Sequence, residues 1–268
     1  MNDNPNPYTT PRVETAPTTI EVSGGGESPE NEKIHPYGFW LTTLFALIVI
    51  VAWGVLQTVV LLAYVQVTGG EFTPAAVEAL ALNGFFLGVV TVSTAPAAIA
   101  FTLFFVSMRG VSTRDYLALR PVSLKTIALW CAIGIAAAVG ADYVKYFFGF
   151  PVVSTFIEES YRTAGSMALF TTAIVIMAPL WEEILFRGFV FAGYSRSPIG
   201  PIGAILIPAL IWAAIHLQYE AHDIATIFVL GIVIGVARWR TNSLYVPIAI
   251  HLVLNSIALI SVAISIDG

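Results

Sequence analysis

Residues 167–194 read MALFTTAIVIMAPLWEEILFRGFVFAGY. The run is apolar and long enough to cross a bilayer core, which takes about 20 residues of helix. It nevertheless carries Glu182, Glu183 and Arg187 in its interior. A charge at membrane depth costs roughly 2.5–3.5 kcal/mol on insertion scales, so such charges usually mark function. Glu183 and Arg187 stand i,i+4 and lie about 40° apart on one helix face, where they can pair. Glu182 points about 140° away from Arg187, so that pair does not neutralise it and it is left free to act as a general base. Pro179, just before, removes an amide donor and kinks the helix, opening room for water or substrate. The plainer alternative is a bundle ion pair with Glu182 snorkelling.

Outward from this run the chain keeps the same character. Of its 268 residues 57% are hydrophobic and only 11% are charged, against about 25% charged in soluble domains. Seven candidate spans follow, at about Phe39–Val67, Asn83–Ser107, Leu124–Ala141, Met167–Tyr194, Ile202–Leu217, Ile224–Trp239 and Leu244–Ile266. The fold expected is an all-α integral membrane protein, a polytopic bundle of about seven transmembrane helices, with six to eight compatible with the boundaries. Residues 1–36 are rich in Pro, Thr, Asn and Glu and are expected to be a disordered tail. They lack the basic start and apolar core of a signal peptide. Residues 37–123 hold the first spans and a loop, and 124–266 the core that carries the chemistry. Asp142–Ser166 mixes Phe, Val and Ile with Lys145, Glu158, Glu159 and Arg162 and reads as interfacial.

The net charge of −5 says nothing about nucleic acid, because six acids fall in the first 36 residues. Cys131 is the only cysteine, so no internal disulfide forms. With the N-terminus in the cytoplasm, Arg12, Lys33, Arg109, Arg114, Arg120, Lys125, Arg187, Arg196, Arg238 and Arg240 fall inside and only Lys145 and Arg162 outside. That bias sets the orientation. A short chain without an organelle signal suits a bacterial inner membrane.

The remaining polar residues of the spans are few. His216 and Trp212 share a face of the fifth span, where Trp212 can wall a pocket. His251 and Asn255, again i,i+4, can offer two donors to one oxygen, the arrangement an oxyanion site needs. No other span carries an acid, base or histidine in its interior. His251 is only about seven residues into the last span. It therefore lies shallower than Glu182 and His216 unless spans four and five project into the cytoplasm or span seven begins earlier. Gly231 and Gly235 permit close helix approach.

Glu182-Glu183-xxx-Arg187, Trp212-xxx-His216 and His251-xxx-Asn255 together resemble the three signature motifs of the CPBP family of intramembrane proteases, which includes CAAX proteases and bacteriocin-processing enzymes. The resemblance covers about residues 124–266. Trp212 departs from the family's usual Phe, which bears on substrate fit more than on chemistry. The resemblance implies an intramembrane endopeptidase acting on a membrane-associated protein or peptide, lipidated or not. Glu182 and His216 would activate water, His251 and Asn255 would stabilise the oxyanion, and Glu183, Arg187 and Trp212 would support them. A rival reading makes Glu182, His216 and His251 ligands of a catalytic zinc. The pairing of His251 with Asn255 tips the balance to a metal-free site, although Asn255 could equally orient His251 from behind. Two other functions compete: a non-catalytic immunity or scaffold protein, and a proton-coupled transporter. The transporter is disfavoured because all the polar residues lie in the second half, with no inverted repeat.

Overall fold

The computed structural model describes residues 36–267, and the expected tail, apart from its last residue, lies outside them. Ten helices follow in order: α1 (Phe39–Thr68), α2 (Pro74–Ala81), α3 (Gly84–Met108), α4 (Thr113–Tyr116), α5 (Leu124–Phe147), α6 (Thr155–Arg162), α7 (Met167–Ser195), α8 (Gly200–Ala214), α9 (Ala221–Thr241) and α10 (Tyr245–Asp267). No strand occurs among the described residues. Six of the helices, α1, α3, α5, α7, α9 and α10, are long and apolar enough to cross a membrane, and α8 is a shorter apolar helix of 15 residues. The protein is an all-α polytopic membrane protein.

Short polar residues set where the helices begin. The side chains of Asn83, Ser123 and Ser166 accept hydrogen bonds from the backbone N–H of Phe86, Thr126 and Leu169, satisfying donors that the first turn leaves open. Gly69 ends α1 and Asn242 ends α9, both in the left-handed conformation that those two residue types tolerate best.

α7 is the central helix. Trp181, Leu185, Phe186, Phe189 and Val190 are all buried, packed within the main apolar core. By contrast, Leu47, Val51, Val55 and Val59 of α1 are more than half exposed. A row of that kind, on a helix long and apolar enough to cross a bilayer, suits a lipid-facing surface. α8 and α9 form an antiparallel hairpin whose close approach rests on the two glycines picked out in the sequence. A Cβ on Gly231 would come within 3.0 Å of Ala209 and 3.1 Å of Trp212, and one on Gly235 within 3.0 Å of Ile205.

Two expectations need correction. α5 runs on to Phe147, past the expected end at Ala141, so Asp142 and Lys145 belong to its last turns. Lys145 is buried, with its ammonium 3.1 Å from both Asp142 and Asp223 and donating to the carbonyl of Val152 at 2.7 Å. α9 likewise begins early enough to include Asp223. Charges inside helices are therefore not confined to the three motif-bearing spans. The pairing that buries Lys145 comes from a residue 78 positions away, which local hydropathy does not register. The second correction concerns His216, which lies in the turn after α8 and not within a span, because that helix stops at Ala214.

Candidate active site

α7 is not a uniform α-helix. Thr172–Met177 and Ile184–Val190 are π-helical, and they bracket the segment Ala178–Glu183 that carries the two glutamates. Pro179 explains part of this. The N–H of Ala178 bonds to the carbonyl of Ala173, five residues back. The carbonyl of Ile174 would then need the N–H of residue 179, which proline lacks. Asn255 fills the gap from α10, its Nδ2 donating to the Ile174 oxygen at 2.9 Å. This contact is neither of the two roles read for Asn255 from the sequence, a donor to an oxyanion and a support for His251.

Glu183 is fully buried. Its Oε1 accepts from Arg187 Nη1 at 3.1 Å and from His251 Nδ1 at 2.8 Å. Because an ionised carboxylate only accepts, the hydrogen sits on Nδ1 and the Nε2 nitrogen of His251 is left to face other groups. Nε2 lies 4.0 Å from Oε2 of Glu182. Arg187 is held further by Nη2 donating to the carbonyl of Gly231 at 3.2 Å. The i,i+4 pairing of Glu183 with Arg187 thus forms, and Glu182 does not join it.

Glu182 instead meets Trp212. The indole Nε1 donates to Glu182 Oε2 at 2.6 Å, and the indole face lies 4.7 Å from the Arg187 guanidinium. The His251 ring stands edge-on to the same indole, with centroids 5.1 Å apart. Trp212 is therefore more than a wall. It bonds one glutamate and covers the other's arginine partner, and the donor is one that phenylalanine does not have. His216 Nδ1 lies 2.7 Å from the carbonyl of Trp212. A carbonyl can only accept, so Nδ1 carries hydrogen and Nε2 of the neutral ring keeps its lone pair.

The depths agree once side-by-side residues are compared. A Cβ on Gly188 would touch Leu244, so α10 starts level with Gly188, and the last turns of α7 run on past that level. From Gly188 back to Glu183 is about 7.5 Å of helix, and from Leu244 on to His251 about 10.5 Å. The two side chains meet because α7 projects beyond the start of the last helix.

Tyr219 went unread in the sequence. Its ring packs 5.7 Å from His216 and 4.7 Å from Phe156, centroid to centroid. Burial, with the charges of Glu182 and Asp223 nearby, pushes its phenol well above the usual range, so it remains a hydroxyl. No spacing rule marks a tyrosine three residues past a histidine in a turn.

Among the described residues, no group of three His, Cys, Asp or Glu side chains gathers so as to hold a metal ion. Nε2 of both His216 and His251 is free, with Nδ1 bonded to a backbone carbonyl and to Glu183 respectively, so their chemistry suits a metal ligand, while the three side chains of the zinc set, Glu182, His216 and His251, do not gather closely enough to form a site.

Fold and site together define a polytopic membrane protein with a carboxylate–imidazole centre buried between its helices. Residues 164–257 match the family model described as Type II CAAX prenyl endopeptidase Rce1-like. That stretch contains all three motifs and forms a domain of the CPBP family, as the motifs led one to expect. The chain is 34% identical over 102 residues to an uncharacterized 24.3 kDa protein of Escherichia coli, covering 37% of this chain and 46% of that one. It is 27% identical over 146 residues to the membrane-embedded CAAX protease MroQ of Staphylococcus aureus (strain USA300), covering 51% and 58% respectively. The chain spans about half the length of the curated relatives it matches. No solved structure matches it.

Proposed function

We propose that the chain is an intramembrane endopeptidase that hydrolyses a peptide bond of a membrane-associated protein or peptide. One observation carries the reading: Glu183 anchors His251 at 2.8 Å through Nδ1, while Nε2 faces Glu182 across 4.0 Å. The second carboxylate is free of the arginine pair and close enough to Nε2 for one water lying beside them to bridge the two.

In this scheme Glu182 takes a proton from water, and Nε2 of His216 is the second base that orients it. The water oxygen adds to the scissile carbonyl and the π electrons move onto its oxygen. His251 Nε2, when protonated, and the N–H of Asn255 not bonded to Ile174 supply donors to that oxyanion. Collapse breaks the C–N bond, and the proton held by the glutamate passes to the leaving nitrogen. Glu183 and Arg187 act by holding His251 and its neighbours, and Trp212 by holding Glu182. The substrate arrives within the bilayer. The S. aureus relative, named a membrane-embedded CAAX protease, supports this reading.

The test is cleavage of a membrane-reconstituted peptide library by purified protein and by its Glu182→Gln variant, with fragments identified by mass. Internal fragments made by the wild type and absent in the variant are expected. An unchanged fragment pattern, or no cleavage by a folded wild type, sinks the proposal. Metal is tested separately by elemental analysis of protein purified without chelator or nickel resin. The metal-free scheme expects near-zero zinc and activity that survives chelation. Near-stoichiometric zinc, lost in both His216→Ala and His251→Ala, replaces the scheme with a metalloprotease.

A further inference from the structure

A second polar site lies at the arginine-rich end of the bundle, apart from the glutamates and histidines. Where the turn after α4, the end of α7 and the end of α9 meet, a cavity of about 60 Å³ is lined by Arg120, Arg196, Arg238, Asp115, Tyr116 and Asn242, among others. A water needs about 10–15 Å³ of such space, so there is room for a group the size of a phosphate.

The charges around the cavity do not balance. Three guanidiniums face one carboxylate, 3 − 1 = +2, and among the described residues none of the three arginines lies within 4.0 Å of an acid. Arg238 is 97% buried. Its Nε donates to the carbonyl of Arg187 at 2.9 Å and its Nη1 to Asn242 Oδ1 at 3.2 Å, so neutral oxygens hold it in place without cancelling its charge. Arg120 and Arg196 are exposed and free to close over a ligand. Tyr116 also lines the cavity and is buried, its hydroxyl lying beside the backbone of Tyr37 without a formed hydrogen bond among the described residues. Burial pushes that phenol well above its ordinary range, so it stays a donor.

Depth narrows the ligand. Trp239 and Tyr245, both over 40% exposed, flank this end, and Trp and Tyr collect at the headgroup level of a bilayer. Arginine forks match phosphate oxygens two at a time. We propose that this cavity binds a phosphate group, presented either by an anionic lipid headgroup or by a free phosphate anion.

The experiment measures thermal unfolding of the full chain in neutral detergent. Inorganic phosphate is titrated against sodium chloride at matched ionic strength, and dihexanoyl phosphatidic acid against dihexanoyl phosphatidylcholine. The same series is run on the double variant Arg120→Gln/Arg196→Gln, whose exposed positions spare the fold and leave Arg238 in place. The expected result is a saturable rise in the midpoint, with affinity at least tenfold weaker in the double variant and an unchanged midpoint without ligand. A response to inorganic phosphate assigns the site to the free anion, and a response to phosphatidic acid alone assigns it to the lipid. No saturable response to either, or one undiminished in the double variant, overturns the proposal.

Discussion

Glu183 is the residue on which most of the site hangs. One of its oxygens accepts from both Arg187 and His251, and the other is buried with no hydrogen-bond partner among the described residues. Glu183→Gln leaves the buried Arg187 without its counter-charge, and breaking a buried pair in this way costs about 3–5 kcal/mol. The variant should show a clearly lower unfolding midpoint and lower yield, whereas Glu182→Gln should keep both and lose only hydrolysis. Equal stability of the two variants, by thermal unfolding, would refute the separation of their roles. Trp212 permits a finer cut. Trp212→Phe keeps an aromatic ring against Arg187 and His251 but deletes the donor to Glu182. A hydrogen bond to a charged group is worth about 1.5–3 kcal/mol, so cleavage should fall about tenfold or more with the protein still folded. Activity equal to wild type would show that the indole N–H does not position Glu182. The glutamate–arginine pair was legible because i,i+4 geometry is local. The indole bond was not, since a tryptophan in an apolar run reads as core until its partner 30 residues away is known.

At the scale of elements, a proline and a glycine do the shaping. Pro179 leaves the Ile174 carbonyl without a helical donor, and Asn255 supplies one. Asn255→Leu should therefore lower the unfolding midpoint as well as activity, since an unsatisfied buried acceptor costs about 1–3 kcal/mol. A variant with wild-type stability would mean that the amide serves chemistry alone. Gly231 lets Trp212 approach α9 and offers its carbonyl to Arg187. Gly231→Ala introduces a Cβ at 3.0–3.1 Å from Ala209 and Trp212. Overpacking of this kind costs about 1–3 kcal/mol, and here it should also push the indole off Glu182, so activity should drop further than the midpoint. An unaffected cleavage rate would show that the hairpin gives way elsewhere. Helix positions were readable because a bilayer demands about 20 apolar residues per crossing. The π segments were not, because a shift from i+4 to i+5 bonding leaves no mark in hydropathy. The extension of α5 through Asp142 and Lys145 depends on a distant aspartate that only the folded chain brings near.

For the whole molecule, the question is which end of the bundle faces the cytoplasm. The lysines and arginines divide ten to two between the ends when the N-terminus is placed inside, and the structure gathers Arg114, Arg120, Arg196 and Arg240 at helix ends or in loops next to them. Glu78 lies on α2, in the connection between α1 and α3, while Arg114 lies in the connection between α3 and α5. Since α3 is long enough to cross the bilayer, these two exposed positions belong on opposite sides. Cys131 is the only thiol to remove. In a Cys131→Ser background, an impermeant thiol reagent applied to intact cells should label Glu78→Cys and spare Arg114→Cys until the membrane is opened. The reverse pattern would invert the protein and carry the arginine cavity to the outer leaflet. Labelling of both from outside would mean that α3 does not cross. The outcome also bears on access to the site. Glu182 is about 13 residues from the Ser195 end of α7 and about 15 from the Met167 end, so roughly 20 Å of helix separates it from either. Under the proposed function, a substrate bond reaches that depth from within the bilayer or through the bundle, whichever side its soluble part occupies.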